Sequence, residues 1–155
     1  MTIESKLSTS RREVLTTGAL SVLALILAPH MAFASEATVA AEIKKLLGDK
    51  SAADGKIKLD VPEIAENGLV VPVNVEIDSP MTPTDYVKAV HVFADGNPLP
   101  GVISYAFTPE CGKASASARM RLAQTQNIIC VAEMSTGVFH MAKAQVKVTI
   151  GGCGG

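Results

Sequence analysis

The sequence predicts a mainly β domain. Over most of the chain, apolar and polar residues alternate with a period of two, which is typical of half-buried strands. These runs are short and are separated by clusters of Gly, Pro, Asn, Asp and Ser. A single segment has the apolar spacing of a helix. Together these features predict an antiparallel β-sandwich of immunoglobulin-like type with one short N-terminal helix.

The predicted elements follow in order along the chain. A short amphipathic helix is expected at residues 38–47, because Val39 and Ile43 recur at helical spacing and Gly48 ends the run. Pro72 lies in the first long strand and cannot donate a backbone hydrogen bond, which indicates a sheet edge or a bulge there. Strands are expected at residues 69–77, 86–94, 102–107, 115–122, 127–134 and 138–150.

The alternation also predicts which side of each strand meets the core. In the strand at residues 115–122 the apolar residues are expected to face inward, and Arg119 and Arg121 to face solvent. In the last strand the residues expected to be buried are Val138, Ala142, Ala144, Val146, Val148 and Ile150.

Residues 1–34 have the three zones of an export signal. A polar start is followed by an apolar stretch of about 11 residues, and Ala32-Phe33-Ala34 is the small-x-small pattern after which signal peptidase cuts. The apolar stretch is shorter than the ~20 residues of a membrane span. The consecutive Arg11 and Arg12 favour a twin-arginine (Tat) signal over an ordinary Sec signal, although their neighbours depart from the usual pattern. We therefore expect a periplasmic protein without a membrane anchor, cleaved after Ala34.

The composition excludes several classes of function. The chain of 155 residues carries 14 Lys+Arg against 15 Asp+Glu, so it lacks the basic excess that nucleic acid or an anionic membrane would attract. His91 and His140 lie at no recognised metal-ligand spacing, and the carboxylates are scattered. We therefore expect no nucleic-acid partner, no metal, no cofactor and no acid–base catalytic site.

The chain has three cysteines, and at most two of them can pair with each other. Cys111 lies in a predicted loop, and Cys130 lies on the apolar face of a predicted strand. Two interpretations stay open for this pair. Cys130 is a small core residue, as buried free cysteines often are. Alternatively, Cys111 and Cys130 form a disulfide in the oxidising compartment, which would shield both from reaction.

The third cysteine, Cys153, lies outside the predicted domain of residues 35–150. It is the middle residue of a five-residue tail, residues 151–155, and its neighbours on both sides are glycines. Glycine has wide backbone freedom and no bulk, so a thiol in this tail can enter another protein's narrow cleft. Nothing adjacent in sequence activates the thiol. The tail therefore predicts a flexible arm that presents a thiol to other proteins, formed by Cys153 with Gly151, Gly152, Gly154 and Gly155.

Several segments of the chain resemble one family, the SoxY sulfur carriers of bacterial thiosulfate oxidation. The most specific is the terminal Gly-Gly-Cys-Gly-Gly, because its position is as informative as its composition. The others are Pro62-Glu-Ile-Ala-Glu-Asn-Gly68, Asp78-Ser-Pro-Met81, Val90-His-Val-Phe-Ala94, Asn97-Pro98, Phe107-Thr-Pro109, Arg119-Met-Arg-Leu-Ala123 and Val131-Ala-Glu-Met134.

The resemblance implies a non-enzymatic carrier whose swinging-arm cysteine is Cys153. It implies a heterodimer with SoxZ, which a Tat leader would export as a folded pair. The haem enzyme SoxAX would join thiosulfate to the thiol, SoxB would release sulfate, and a sulfane dehydrogenase, where present, would oxidise the remaining sulfur. Neither Cys111 nor Cys130 belongs to the family's usual pattern.

Two other functions are compatible with parts of the sequence. An immunoglobulin-like periplasmic adaptor could use its terminal cysteine only to form an intermolecular disulfide. A terminal Gly-Gly also occurs in ubiquitin-like carriers, whose carboxylate becomes a thiocarboxylate, but that chemistry depends on ATP in the cytosol. The export signal argues against this second alternative.

Overall fold

The computed structural model describes residues 34–152. The predicted export signal lies outside the described residues except for Ala34, as do Cys153, Gly154 and Gly155. Within residues 34–152 the chain forms one α-helix, a short 3₁₀ helix and nine strands, so the prediction of a mainly β fold with one helix is confirmed. The helix α1 is Glu36–Leu47 and the 3₁₀ helix is Pro109–Cys111. The strands are β1 (Ala52–Asp54), β2 (Ile57–Asp60), β3 (Ile64–Asn67), β4 (Val71–Ile77), β5 (Val87–Ala94), β6 (Gly101–Ala106), β7 (Ala114–Met120), β8 (Gln126–Met134) and β9 (Phe139–Ile150).

Two sheets make up the sandwich. The first has the strand order β1-β9-β8-β5-β6, with β3 also paired with β9, and the second has the order β2-β4-β7. Most pairs are antiparallel, as predicted, whereas the short strands β1 and β3 run parallel to β9. β1 pairs with the beginning of β9 and β3 with its end. The long last strand, β9, thus pairs with three strands, β1, β3 and β8.

Two apolar clusters hold the elements together. The larger contains residues of both sheets, among them Val73 and Val75 of β4 and Val90 and Val92 of β5, and it forms the sandwich core. In the smaller cluster, apolar residues of α1 pack on β5, β8 and β9, so the helix covers part of the outer face of the first sheet. β8 therefore has both faces covered, which explains its almost continuous burial.

The helix begins two residues earlier than predicted because Ser35 caps it. The side chain of Ser35 accepts a hydrogen bond from the Thr38 amide at 3.4 Å, and the Thr38 hydroxyl accepts one from the Ser35 amide at 2.7 Å. Just before the cap, Ala34 is buried and its amide donates to the Asn97 carbonyl oxygen at 2.7 Å. No helix within residues 34–152 is long and apolar enough to cross a membrane.

The structure also tests three predicted positions in the strands. β2 pairs with β4 only from Asn74 onward, so Pro72 lies where β7 is the paired neighbour of β4, and the local edge predicted there is confirmed. Val138 and Ile150 were expected to be buried but are exposed, at 49% and 65%. Val138 precedes β9 in the turn after β8, and Ile150 is the last residue of β9.

Candidate functional site

The candidate site begins where β9 ends, at the end of the sandwich from which the C-terminal arm leaves. The chain continues from Ile150 through Gly151 and Gly152, both half-buried, to Cys153. Cys153, predicted to carry the chemistry, lies with Gly154 and Gly155 outside the described residues. What the structure provides is the place on the domain to which the arm is attached.

That attachment is made by backbone hydrogen bonds among three segments that are distant in sequence. The Gly68 amide donates to the Ile150 carbonyl oxygen at 2.7 Å, and the Leu122 amide donates to the Gly68 carbonyl oxygen at 2.8 Å. The Gly152 amide then donates to the Leu122 carbonyl oxygen at 2.8 Å. The first two residues of the arm are thus bound to the domain, whereas the sequence predicted them to be part of a flexible tether.

A buried asparagine holds the middle segment in place. The side-chain amide of Asn97 donates to the Arg121 carbonyl oxygen at 2.9 Å, and its oxygen accepts the Ala123 amide at 3.0 Å. The side chain of Gln126, itself buried, also donates to the Asn97 oxygen at 3.0 Å. The sequence indicated Asn97 only as part of the family-like dipeptide Asn97-Pro98. The burial of its side chain could not be deduced from that dipeptide.

Apolar side chains lie exposed close to the attachment point along the chain. Leu69 and Val70 follow Gly68 directly, and they are 46% and 60% exposed. Ile150, which accepts the Gly68 amide, is 65% exposed, and Ile64 at the start of β3 is 61% exposed. This concentration of exposed apolar surface is typical of a region that contacts other proteins.

The basic residues near the arm are solvated, as the sequence predicted. Arg119 in β7 and Arg121 just after it are exposed, whereas the neighbouring Met120 and Leu122 are buried. Arg121 lies one residue before Leu122, so its side chain is the nearest of these charges to the attachment point along the chain. These charges can attract anions weakly, because solvent and salt screen exposed side chains.

Two of the three histidines, His91 in β5 and His140 in β9, lie in strands of the first sheet. His91 Nδ1 lies 2.9 Å from the Ser104 hydroxyl oxygen, and burial lowers the pKa of His91. His140 is buried in β9, and its Nδ1 has no hydrogen-bond partner. Among residues 34–152 there is no group of three or more His, Cys, Asp or Glu side chains that could hold a metal ion.

Both cysteines of the domain are free thiols, so the structure contradicts the alternative in which Cys111 and Cys130 form a disulfide. Cys130 pairs with Val92 and Ala142 in the first sheet and is fully buried in the larger core cluster, which confirms its interpretation as a core residue. Burial raises the pKa of the Cys130 thiol to about 12. Cys111 ends the exposed 3₁₀ helix, and its Sγ lies 3.9 Å from the Thr108 hydroxyl oxygen. A disulfide would require the core strand or the surface turn to move.

Comparison with known proteins identifies the family. The model of the family described as sulfur oxidation protein SoxY matches residues 43–153, and the match therefore extends through Cys153. The solved structure of the sulfur carrier protein SoxY from Chlorobium limicola f thiosulfatophilum is similar, with 32% sequence identity and a TM-score of 0.62. The similarity covers 75% of this chain and 100% of the Chlorobium protein. No curated protein matches the sequence.

Structures of another kind share the fold. A superoxide reductase (neelaredoxin) from Ignicoccus hospitalis is 13% identical with a TM-score of 0.54, covering 75% of this chain and 94% of its own. A putative superoxide reductase from Thermotoga maritima is 17% identical with a TM-score of 0.53, covering 63% and 93%. At these identities the similarity shows a common sandwich and nothing about activity. The chain belongs to the SoxY family of sulfur oxidation proteins, and is by that identity a carrier rather than an enzyme.

Proposed function

We propose that this chain carries thiosulfate-derived sulfur covalently on Cys153 and presents it to the enzymes that oxidise thiosulfate to sulfate. The observation that carries the proposal is the family match through Cys153, the third residue from the C-terminus. The glycines on both sides of Cys153 support it, because a thiol with neighbours that lack side chains can enter a narrow active site.

The chemistry needs a thiol and enzymes that act on it. In the first step the Cys153 thiol loses its proton, its sulfur bonds to the outer sulfur of thiosulfate, and two electrons pass to the haem enzyme SoxAX. In the second step SoxB adds water to the resulting Cys–S–S–SO₃⁻, which releases sulfate and leaves a persulfide. A sulfane dehydrogenase, where present, oxidises the remaining sulfur. The carrier itself holds the intermediates between these steps.

The domain body supports this division of labour, because it offers little competing thiol chemistry. Cys130 is fully buried, and its raised pKa keeps it protonated at neutral pH. Cys111 is exposed, but it lies at the end of a 3₁₀ helix and has no glycine tail of its own. Of the three thiols, Cys153 is the one whose sequence context suits delivery.

The partner and the location belong to the same proposal. A heterodimer with SoxZ is supported by family membership, and the exposed apolar residues around the arm attachment give room for protein contacts. Export by the Tat pathway to the periplasm, with cleavage after Ala34, is supported by Arg11-Arg12 and by Ala32-Phe33-Ala34. SoxAX, SoxB and the dehydrogenase would be transient partners.

Intact-mass analysis of the protein from thiosulfate-grown cells tests the proposal. We expect a fraction of the chains to carry thiosulfonate or persulfide adducts, and these adducts and thiosulfate oxidation to be lost in Cys153→Ser. Cys111→Ser is the matched control, because it removes an exposed thiol of the domain body, and it should keep both.

Two results would contradict the proposal. An unmodified Cys153, together with undiminished thiosulfate oxidation in Cys153→Ser, would favour the adaptor function. Loss of function on removal of Gly154-Gly155, with function kept in Cys153→Ser, would instead favour carboxylate chemistry at the terminus.

A further inference from the structure

The first two glycines of the arm are part of a closed set of backbone contacts. Gly68, Leu122 and Gly152 are joined by two hydrogen bonds of 2.8 Å, and Gly68 also binds the Ile150 carbonyl oxygen. We call Gly68, Leu122, Ala123, Gly151 and Gly152 the clasp. The clasp brings together the segment between β3 and β4, the segment after β7, and the start of the arm.

The clasp requires glycine at three positions for reasons of space. A Cβ atom on Gly152 would collide with the Gly68 carbonyl oxygen, one on Gly151 with the Ala123 carbonyl oxygen, and one on Gly68 with the Leu122 carbonyl oxygen. Each collision is with backbone atoms, which cannot turn aside as the end of a flexible side chain can. None of the three glycines has a positive φ, so close approach and not backbone conformation requires them.

The domain side of the clasp is firmly held. Gly68 is buried and Leu122 is fully buried in the larger core cluster. Ala123 is fixed by its hydrogen bond to the side chain of Asn97, which is itself buried. The arm is therefore attached to a rigid part of the fold.

We propose that the clasp fixes the first two residues of the carrier arm, Gly151 and Gly152, to the domain, with Gly68 as the positioning residue for this part of the arm. The functional meaning of this inference rests on the proposed carrier function. With all five tail residues free, the tail would reach at most about 16 Å from β9. With the clasp closed, Gly151 and Gly152 are fixed to the domain and no longer add to that reach.

Fixing two residues in advance lowers the entropy lost when a partner enzyme captures the thiol. Ordering the backbone of one residue corresponds to roughly a tenfold change in an equilibrium constant. We therefore expect a released arm to bind its enzymes more weakly, by about tenfold for each residue freed. The clasp would thus act on the encounter between carrier and enzyme and not on the chemical step.

Amide hydrogen exchange on the full mature chain, alone and with its partner subunit, tests the clasp directly. The reference is a free peptide of residues 148–155. We expect the Gly152 amide to exchange at least tenfold more slowly than in the peptide, because it donates to the Leu122 carbonyl oxygen. Exchange at the rate of the peptide would overturn the inference.

Two substitutions open the clasp from opposite sides. Gly68→Ala places a Cβ atom against the Leu122 carbonyl oxygen, and Gly152→Ala places one against the Gly68 carbonyl oxygen. Gly152→Ala changes only the arm side, so it keeps the test valid if Gly68→Ala fails to fold. Gly101→Ala is the matched control, because a Cβ atom there meets no atom within 4 Å. Protection of residue 152 should fall to the level of the peptide in the first two variants and stay unchanged in the control.

Enzyme kinetics then distinguish a positioning role of the clasp from a general loss of structure in the variant. With the carrier as varied substrate of the conjugating enzyme, Gly68→Ala, which leaves both glycine neighbours of Cys153 unchanged, should raise KM about a hundredfold, because it frees both Gly151 and Gly152, and should leave kcat unchanged. Alkylation of Cys153 by iodoacetamide should not slow, because the thiol itself is intact. An unchanged KM would overturn the inference. If Cys153→Ser kept full thiosulfate oxidation, the proposed carrier function would fail, whereas the exchange result would still decide whether the clasp exists.

Discussion

The buried thiol of Cys130 makes the stability of the domain depend on alkaline pH. Burial raises its pKa from 9.0 to about 12 in the folded chain, whereas the unfolded chain keeps the ordinary value. Between these values the unfolded state has lost a proton that the folded state keeps, so rising pH favours unfolding. The stabilisation is fully present below pH 9 and is lost as the pH approaches 12. It amounts to about 4 kcal/mol over the whole range, at about 1.4 kcal/mol per pH unit.

Urea unfolding at pH 7.5 and pH 10.5 measures this effect. We propose Cys153→Ser as the parent, so that the tail thiol cannot oxidise during the experiment. At pH 10.5 the buried thiol accounts for a loss of about 2 kcal/mol in the free energy of unfolding. Cys130→Ala should lower stability at pH 7.5, because it leaves a cavity, but should abolish this part of the alkaline loss. Cys111→Ala should keep the loss, because Cys111 is exposed.

The quantity to compare is the alkaline loss in the free energy of unfolding, taken as the difference between Cys130→Ala and the parent. Burial also raises the pKa of Tyr105, which lies close enough to Cys130 to be affected by its charge, and this tyrosine adds to the alkaline loss in every variant. An equal loss in Cys130→Ala and in the parent would refute the reasoning.

In the folded protein, alkylation of Cys130 should be at least about a thousandfold slower than that of an ordinary thiol, in proportion to its thiolate fraction. Thiol titration of the unfolded, unreduced parent should give two free thiols.

Two further predictions concern the core and a histidine. Ile128→Ala, at a fully buried position, should lower the free energy of unfolding by about 2–5 kcal/mol in urea, whereas Ile64→Ala, 61% exposed, should change it by less than about 0.5 kcal/mol. Similar losses in the two variants would contradict the assignment of the core. Because burial lowers the pKa of His91, its contribution to stability is complete above the ordinary value of 6.5 and is lost as the pH falls. Titration of its ring protons by NMR should give a midpoint below 6.5, and a midpoint at or above that value would contradict this.

The strands that were predictable from the sequence are those with a long alternating pattern. β4 to β9 agree with the predicted runs to within two residues at each end, because each has six or more residues, which is long enough to be recognised as a strand. β1, β2 and β3 were missed, since three or four residues are too few to show a period of two. These short segments form strands because each of them pairs with a longer strand, β4 or β9. Parallel pairing of β1 and β3 with β9 cannot be deduced from periodicity either, because the period is the same in both directions.

The candidate site was predictable in its chemistry but not in its geometry. The position of Cys153 between glycines indicated a presented thiol without any structural knowledge. The sequence alone could only assign conformational freedom to Gly151 and Gly152, because the atoms that confine them belong to residues far away in the chain. Gly68 could likewise be noted only as the last residue of the family-like segment Pro62–Gly68, because the atoms close to it belong to Leu122, Ile150 and Gly152. Close backbone approach is a tertiary property.

The buried position of Ala34 has a consequence for processing by signal peptidase. A peptidase needs access to the chain on both sides of the cut, and Ala34 is buried with its amide bonded to the Asn97 carbonyl oxygen. If cleavage follows Ala34, this short segment must first detach from the folded domain. The new N-terminus would be Ser35, whose side chain already caps α1, so the helix should survive the cut. Such a cut would also remove the hydrogen bond between the Ala34 amide and the Asn97 carbonyl oxygen from the domain.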